Sequence, residues 1–232
     1  MKNRLFRSAI EYAKNGWAVL PLKKRSKIPA TTHGVKDATT NLDQIAKWWD
    51  QDPDYNIGIA CGQKSGGLLV IDLDIDKEKD LNGYESLKAW EKEHDSFPDT
   101  VQSITGRGGY QLFYQSGKDY KNSVKLLEGI DVRSEGGYVV VPPSIHPNGK
   151  EYQWEYWLDD FDGKLPKANE IVQSFLEQQK NGKEQHFVAP EQISSSERNN
   201  TLFQIACSLQ SKGLSDDAIF LAITAENQAK CD

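Results

Sequence analysis

Leu68-Leu69-Val70-Ile71-Asp72-Leu73-Asp74-Ile75-Asp76 decides how this chain is read. Apolar residues at 69, 71, 73 and 75 alternate with Asp at 72, 74 and 76, the two-residue period of a strand buried on one face. Side chains two apart on a strand share a face, with backbones about 6.5–7 Å apart. Carboxylates so placed repel each other unless a cation lies between them, and hard oxygen donors select Mg²⁺ or Mn²⁺. A solvated acidic face on an edge strand has the same pattern. A calcium loop does not: Lys77 stands where that loop needs Gly, and Gly83 where it needs its last acidic ligand.

Around this strand, read over 68–75, apolar spacing predicts helices at 3–15, 42–50 and about 82–94, the second opened by Asn41 as N-cap. Further strands are predicted at 17–21, 57–61, 101–105, 111–115, 138–141 and 152–156. Strands and helices alternate irregularly, which predicts an α+β domain on a mostly antiparallel sheet over residues 1–178. Residues 179–197 are polar and without period, and are expected to be a linker. Residues 198–212 and 215–230 form two helical patterns joined at Gly213, a small helical C-terminal domain.

Composition sets outer bounds. The chain has 232 residues, 38% hydrophobic and 27% charged, an ordinary globular mixture. No stretch approaches the ~20 apolar residues of a membrane span, and the N-terminus lacks the apolar core of a signal peptide. Cys61, Cys207 and Cys231 are odd in number and far apart, which predicts free thiols in a reducing cytoplasm and no structural zinc. The net charge of -6 argues against binding nucleic acid through the overall field. Lys14, Lys23, Lys24, Arg25 and Lys27 nevertheless form a separate basic stretch able to hold phosphates locally.

Two more segments carry chemistry. Thr105-Gly106-Arg107-Gly108-Gly109-Tyr110-Gln111 runs from a strand end through glycines into another strand. Glycines let backbone N–H groups approach phosphate oxygens, and Arg107 adds a charged donor. No Gly-Lys-Ser/Thr follows, so this is not a P-loop, and an ordinary hairpin turn would look alike. Asp131, within Ile130-Asp131-Val132-Arg133, sits between apolar residues and needs a partner, either Arg133 on the same strand face or a metal ion. Beyond the strand at 138–141, Pro142-Pro143 leads to Ser144 and His146, both placed to point at a ligand.

In this order, the segments resemble the bifunctional primase-polymerase domain of the archaeo-eukaryotic primase superfamily. The likeness rests on Trp17–Leu20 with Lys27 and Pro29, Asn56-Ile57-Gly58-Ile59, Val70–Asp74, Thr105–Phe113, Ile130–Arg133, Gly136–Ser144 and His146. It covers roughly residues 4–177. The tail from Arg198 resembles the small helical domain that follows such primases. The resemblance implies an RRM-like antiparallel-sheet catalytic domain and assigns metal binding to Asp72, Asp74 and Asp131. It implies that the glycine turn and the next strand hold the triphosphate. The family usually has His where this chain has Gln111, which donates a hydrogen bond but carries no positive charge and transfers no proton.

The expected activity is template-directed joining of NTPs or dNTPs on a single-stranded DNA template and primer, with two Mg²⁺ or Mn²⁺ ions held by Asp72, Asp74 and Asp131. Thr105, Arg107, Gly108, Gly109, Gln111, Lys27, Ser144 and His146 are the expected triphosphate-binding residues. Relatives act in replication of phages, plasmids and integrated elements, often joined to a hexameric helicase. Two other readings stand beside this one: a metal-dependent nuclease, and a silent single-strand-binding initiator module.

Overall fold

Leu68–Leu73 is apolar at every position except Asp72, a run that demands cover on both faces. In the computed structural model, which describes residues 3–182, 192–193, 198–211 and 213–230, that cover is present. The first compact unit, Met1–Lys180, contains all the strands named here. In chain order its elements are α1 (Arg4–Lys14), β1 (Val19–Leu22), α2 (Leu42–Gln51), β2 (Asn56–Ala60), β3 (Leu68–Leu73), β4 (Ile75–Asp76) and β5 (Leu81–Asn82). There follow α3 (Gly83–Glu91), β6 (Val101–Ile104), β7 (Tyr110–Gln115), β8 (Ser123–Leu127), β9 (Ile130–Arg133), β10 (Tyr138–Val141), β11 (Gln153–Tyr156) and α4 (Glu170–Gly182). The helices begin on asparagines: Asn3, Asn41, Asn82 and Asn169 each accept a backbone N–H of the first turn, at 3.0–3.3 Å.

The strands form a six-stranded sheet ordered β11-β6-β7-β3-β9-β8, a three-stranded sheet ordered β1-β2-β10, and a β4-β5 ribbon. Every pairing between these strands is antiparallel. One face of the large sheet, with Leu68, Val70, Val101 and Phe113, shares a core with β2, β10, α1 and α2 through Ile57, Val139, Tyr12 and Trp49. The opposite face, with Leu69, Ile71, Leu73, Tyr114 and Val132, packs on Leu87 of α3 and on Val172, Phe175 and Leu176 of α4. Each fully buried aliphatic side chain contributes about 1.5–3 kcal/mol. These two cores hold β3 rigidly between β7 and β9.

The mixed α+β fold with antiparallel sheets is the one expected, with two differences at the decisive strand. β3 is buried on both faces, not one, because Leu68 and Val70 lie under the small sheet. It also stops at Leu73: the Asp74 N–H donates to Gly129 O and the Asp74 carbonyl accepts from Gly83 N, both at 2.8 Å, and this turns Ile75–Asp76 into the separate ribbon. α4 continues past Gln179 to Gly182, into the stretch expected to be linker. Most of the remaining expected linker, 183–191 and 194–197, lies outside the described residues.

The second compact unit, Asn181–Asp232, contains α5 (Arg198–Ser211) and α6 (Asp216–Lys230). The two helices pack on each other, turn at Gly213 with φ +79°, and are tied by Arg198 Nε donating to Asn227 Oδ1 at 2.6 Å. Among the described residues no helix is long and apolar enough to cross a membrane.

Candidate active site

Antiparallel register lines up Ser103, Gln111, Asp72 and Asp131 across β6, β7, β3 and β9. Asp72 and Asp131 are direct cross-strand partners, 9% and 7% exposed. This excludes a solvated acidic edge, since β3 is central and its carboxylate is sunk at the end of the Leu68–Val70 row. Like charges placed opposite each other destabilise a sheet. Burial, and then the neighbouring Asp74 carboxylate, push Asp72 up to about 7, with Lys27 and Arg133 pulling the other way and Asp131 adding to the rise. Asp74 is raised as well, by burial and by Asp131, against the pull of Lys27 and Arg133.

A cleft of about 250 Å³ opens over this row, with Asp72, Asp74 and Gln111 on its sheet wall. Thr105 and Arg107 come from the glycine turn, and Lys27 and His146 from the loops after β1 and β10. A larger cleft of about 890 Å³ adjoins it and contains Asp131; the two share Lys27, Asp74, Arg107 and His146. The acidic row therefore faces a rim of cations, a distribution suited to polyphosphate and divalent metal together.

The glycine turn is built by backbone: Thr105 N–H donates to Gly109 O and Gly108 N–H to Thr105 O, both at 2.8 Å. Thr105 Oγ1 accepts from Gly109 N at 3.1 Å. Gly108 takes φ +87°, a conformation that favours glycine. A side chain at Gly106 would strike His146, so the turn lies directly against the His146 loop, and Asn148 Nδ2 donates to Gly106 O at 2.8 Å. His146 accepts at Nδ1 from Asn148 N–H at 3.2 Å, which puts the proton of the neutral ring on Nε2. Burial holds its pKa below the usual value, and Lys27 and Arg107 act the same way. Arg107 reaches Asp76 at 2.8 Å, so its guanidinium is anchored on the ribbon at the rim. Gln111 accepts at Oε1 from Ser103 Oγ at 2.8 Å, which assigns its NH₂ end to the cleft.

Three expected phosphate contacts are not brought to the cleft wall. Ser144 is fully buried: its Oγ accepts from Ile57 N–H at 2.8 Å, so the hydroxyl braces β2 and does not point at a ligand. Gly108 and Gly109 shape the turn without lining the cleft. Several lining residues were not singled out from sequence. Tyr138 donates to Lys27 O at 2.8 Å and fixes the loop that presents Lys27. Tyr152, buried beside Asp72 and Asp74, has its hydroxyl pKa raised by burial and by those two carboxylates. Arg133, expected as a partner for Asp131, also lines the cleft while bonding Asp131 Oδ2 through Nη2 at 2.5 Å. The Gly136-Gly137 pair before β10 was the available signal for that wall.

The donor set matches a hard divalent cation in part. Asp72 is buried and raised by the half-buried Asp74 beside it, and both are raised by Asp131, the condition a cation relieves. Asp131 belongs to the row by backbone register, but its side chain is turned onto Arg133. Among the described residues no three His, Cys, Asp or Glu side chains are gathered as ligands of one ion.

Comparison with known families gives two matches. The family described as "Bifunctional DNA primase/polymerase, N-terminal" matches residues 9–166. That described as "Primase C terminal 1 (PriCT-1)" matches residues 188–230. No curated protein matches the chain.

Proposed function

Because this chain belongs to the family of bifunctional DNA primase/polymerases, we propose that it extends nucleic-acid strands by joining nucleoside triphosphates on a single-stranded DNA template. The observation that carries the reading is the Asp72–Asp131 cross-strand pair with Asp74 beside it, Asp72 lining the smaller and Asp131 the larger of two adjoining clefts that share Asp74, Lys27, Arg107 and His146. A primase/polymerase role in replication follows from the two family matches. The carboxylate assignment and the setting, replication of a phage, plasmid or integrated element in the cytoplasm, are our proposals.

In the proposed reaction a 3′-hydroxyl oxygen bonds to the α-phosphorus, the bond to the β-phosphate oxygen breaks, and pyrophosphate leaves. Asp72 and Asp74 would hold Mg²⁺ or Mn²⁺, with Asp131 as third carboxylate; bound there, such ions neutralise phosphate charge and favour the alkoxide of the attacking hydroxyl. Lys27 and Arg107 bring positive charge to the triphosphate, and His146 Nε2–H and the Gln111 amide donate hydrogen bonds. Buried Tyr152 and the β10 wall exclude water from that side. No covalent enzyme intermediate is needed, so the chain contributes positioning and charge.

A second reading, a binding module that consumes no nucleotide, is favoured by Gln111 and by the engagement of Asp131 with Arg133. One experiment separates them: a single-stranded template, Mg²⁺ or Mn²⁺ and labelled triphosphates, with and without primer. Wild type is expected to extend, and the Asp72→Ala/Asp74→Ala variant to give no product. Full synthesis by that variant would sink the assignment, and silence of the wild type would favour the binding module. Shortened template would point to a nuclease.

A further inference from the structure

We propose that Arg133 is a latch on the third carboxylate: it keeps the Asp131 carboxylate engaged and releases it to the neighbouring Asp72–Asp74 pair when a nucleoside triphosphate enters the cleft. Three observations meet here. Register makes Asp131 the direct partner of Asp72, so its backbone is already placed in the acidic row. Its carboxylate is nonetheless bonded to Arg133, two residues along the same strand face, at 2.5 Å. Arg133 lines the smaller cleft beside Lys27 and Arg107, whereas Asp131 lines the larger one. The guanidinium thus faces the smaller cleft while bonded to Asp131, and the placing of the triphosphate there rests on the function proposed above.

Guanidinium forks bind carboxylate and phosphate with the same planar geometry. A triphosphate carries more charge than one carboxylate, so Arg133 exchanges Asp131 for phosphate oxygens and Asp131 turns toward Asp72 and Asp74. Substrate binding then completes the cation site. By linkage, cation and triphosphate raise each other's affinity by one common factor. The chain would avoid a three-carboxylate cluster until the substrate brings its share of charge.

The test is Mn²⁺ binding to the full chain, read from the electron paramagnetic resonance of the free ion. Wild type, Asp131→Asn, Arg133→Gln and the double variant form a cycle. Without nucleotide, Asp131→Asn is expected to change wild-type Mn²⁺ affinity by less than about twofold, because Asp131 is engaged. In the Arg133→Gln background the same substitution is expected to weaken binding about tenfold. With a non-hydrolysable deoxynucleoside triphosphate present, wild type itself becomes about tenfold sensitive to Asp131→Asn. An equal loss in both backgrounds without nucleotide overturns the latch, since Asp131 would then already be serving the ion. Insensitivity to Asp72→Asn takes down the carboxylate reading on which the latch depends, an outcome distinct from the first. Should Arg133→Gln fail to fold, a crystal structure of wild type with Mn²⁺ and that nucleotide decides. Arg133 on phosphate and parted from Asp131 supports the latch, and an intact ion pair overturns it.

Discussion

Asp72 ties the acidic row to protein stability. Its folded pKa of about 7 lies above its ordinary 3.8 because burial and Asp74 disfavour the charge. The folded state therefore holds this proton more tightly than the unfolded chain. Its contribution is full below about pH 4 and is lost as pH rises to about 7, by up to about 4 kcal/mol. Asp72→Asn removes the titration, so in the presence of a chelator the variant should melt higher than wild type at pH 7.5. The difference should shrink toward pH 4.5, and melting curves across that range measure it. Equal melting temperatures at pH 7.5 would mean that Asp72 is not held as a strained charge. Gln111 supports a different kind of prediction. With Oε1 bonded to Ser103, its amide donor is aimed by a buried partner, and Gln111→Ala should raise the KM for triphosphate about tenfold. An unchanged KM in a nucleotide titration would remove Gln111 from the binding set.

At the scale of elements, the glycine turn and the end of β3 form one unit. A Cβ at Gly109 would lie 2.3 Å from Leu73 O and 3.2 Å from Ile75 N, backbone atoms that cannot swing aside. Gly109→Ala should therefore displace the β3 end, and Asp74 with it, at about 2–4 kcal/mol and with loss of synthesis. At Gly108 a Cβ meets nothing within 4 Å, so Gly108→Ala should cost only the strain of φ +87°, about 1–2 kcal/mol. Urea unfolding of the two variants checks the order, and reversal would contradict the turn geometry. The same region shows what sequence could reveal. Asp72 and Asp74 were legible because their alternation with apolar residues fixes a strand face. The central place of β3 was not, since Leu68 and Val70 are covered by a sheet formed from distant segments. The aim of Ser144 was also hidden: which way a hydroxyl points after Pro142-Pro143 depends on Ile57, far away in the chain. The pairing of β8 to β9 is irregular, shifting register between Ser123 and Leu127, so its pattern was weak. α4 has a legible pattern outside the expected helices: Ile171, Val172, Phe175 and Leu176 stand at helical spacing behind the Asn169 cap.

For the whole molecule, the net charge of -6 and the division into two units decide what can be separated. Both large cores, the acidic row and both clefts lie within residues 3–182. Lys27, Arg107 and Arg133 supply positive charge at the cleft itself, so local rim charge, not the overall field, must attract the triphosphate. A chain cut after Gly182 should then unfold cooperatively and bind a non-hydrolysable triphosphate within about twofold of the full chain, as expected of an independent core. The helical pair presents a different balance: Phe203, Phe220 and Leu221 are all more than 65% exposed, and two helices bury too little apolar surface to offset the entropy of ordering them. Expressed alone from residue 192, that segment should show weak, non-cooperative helix loss on heating, followed by circular dichroism. A sharp transition there would mean that the pair has a core of its own. Loss of triphosphate binding on cutting after Gly182 would mean that the cleft depends on residues beyond the sheet.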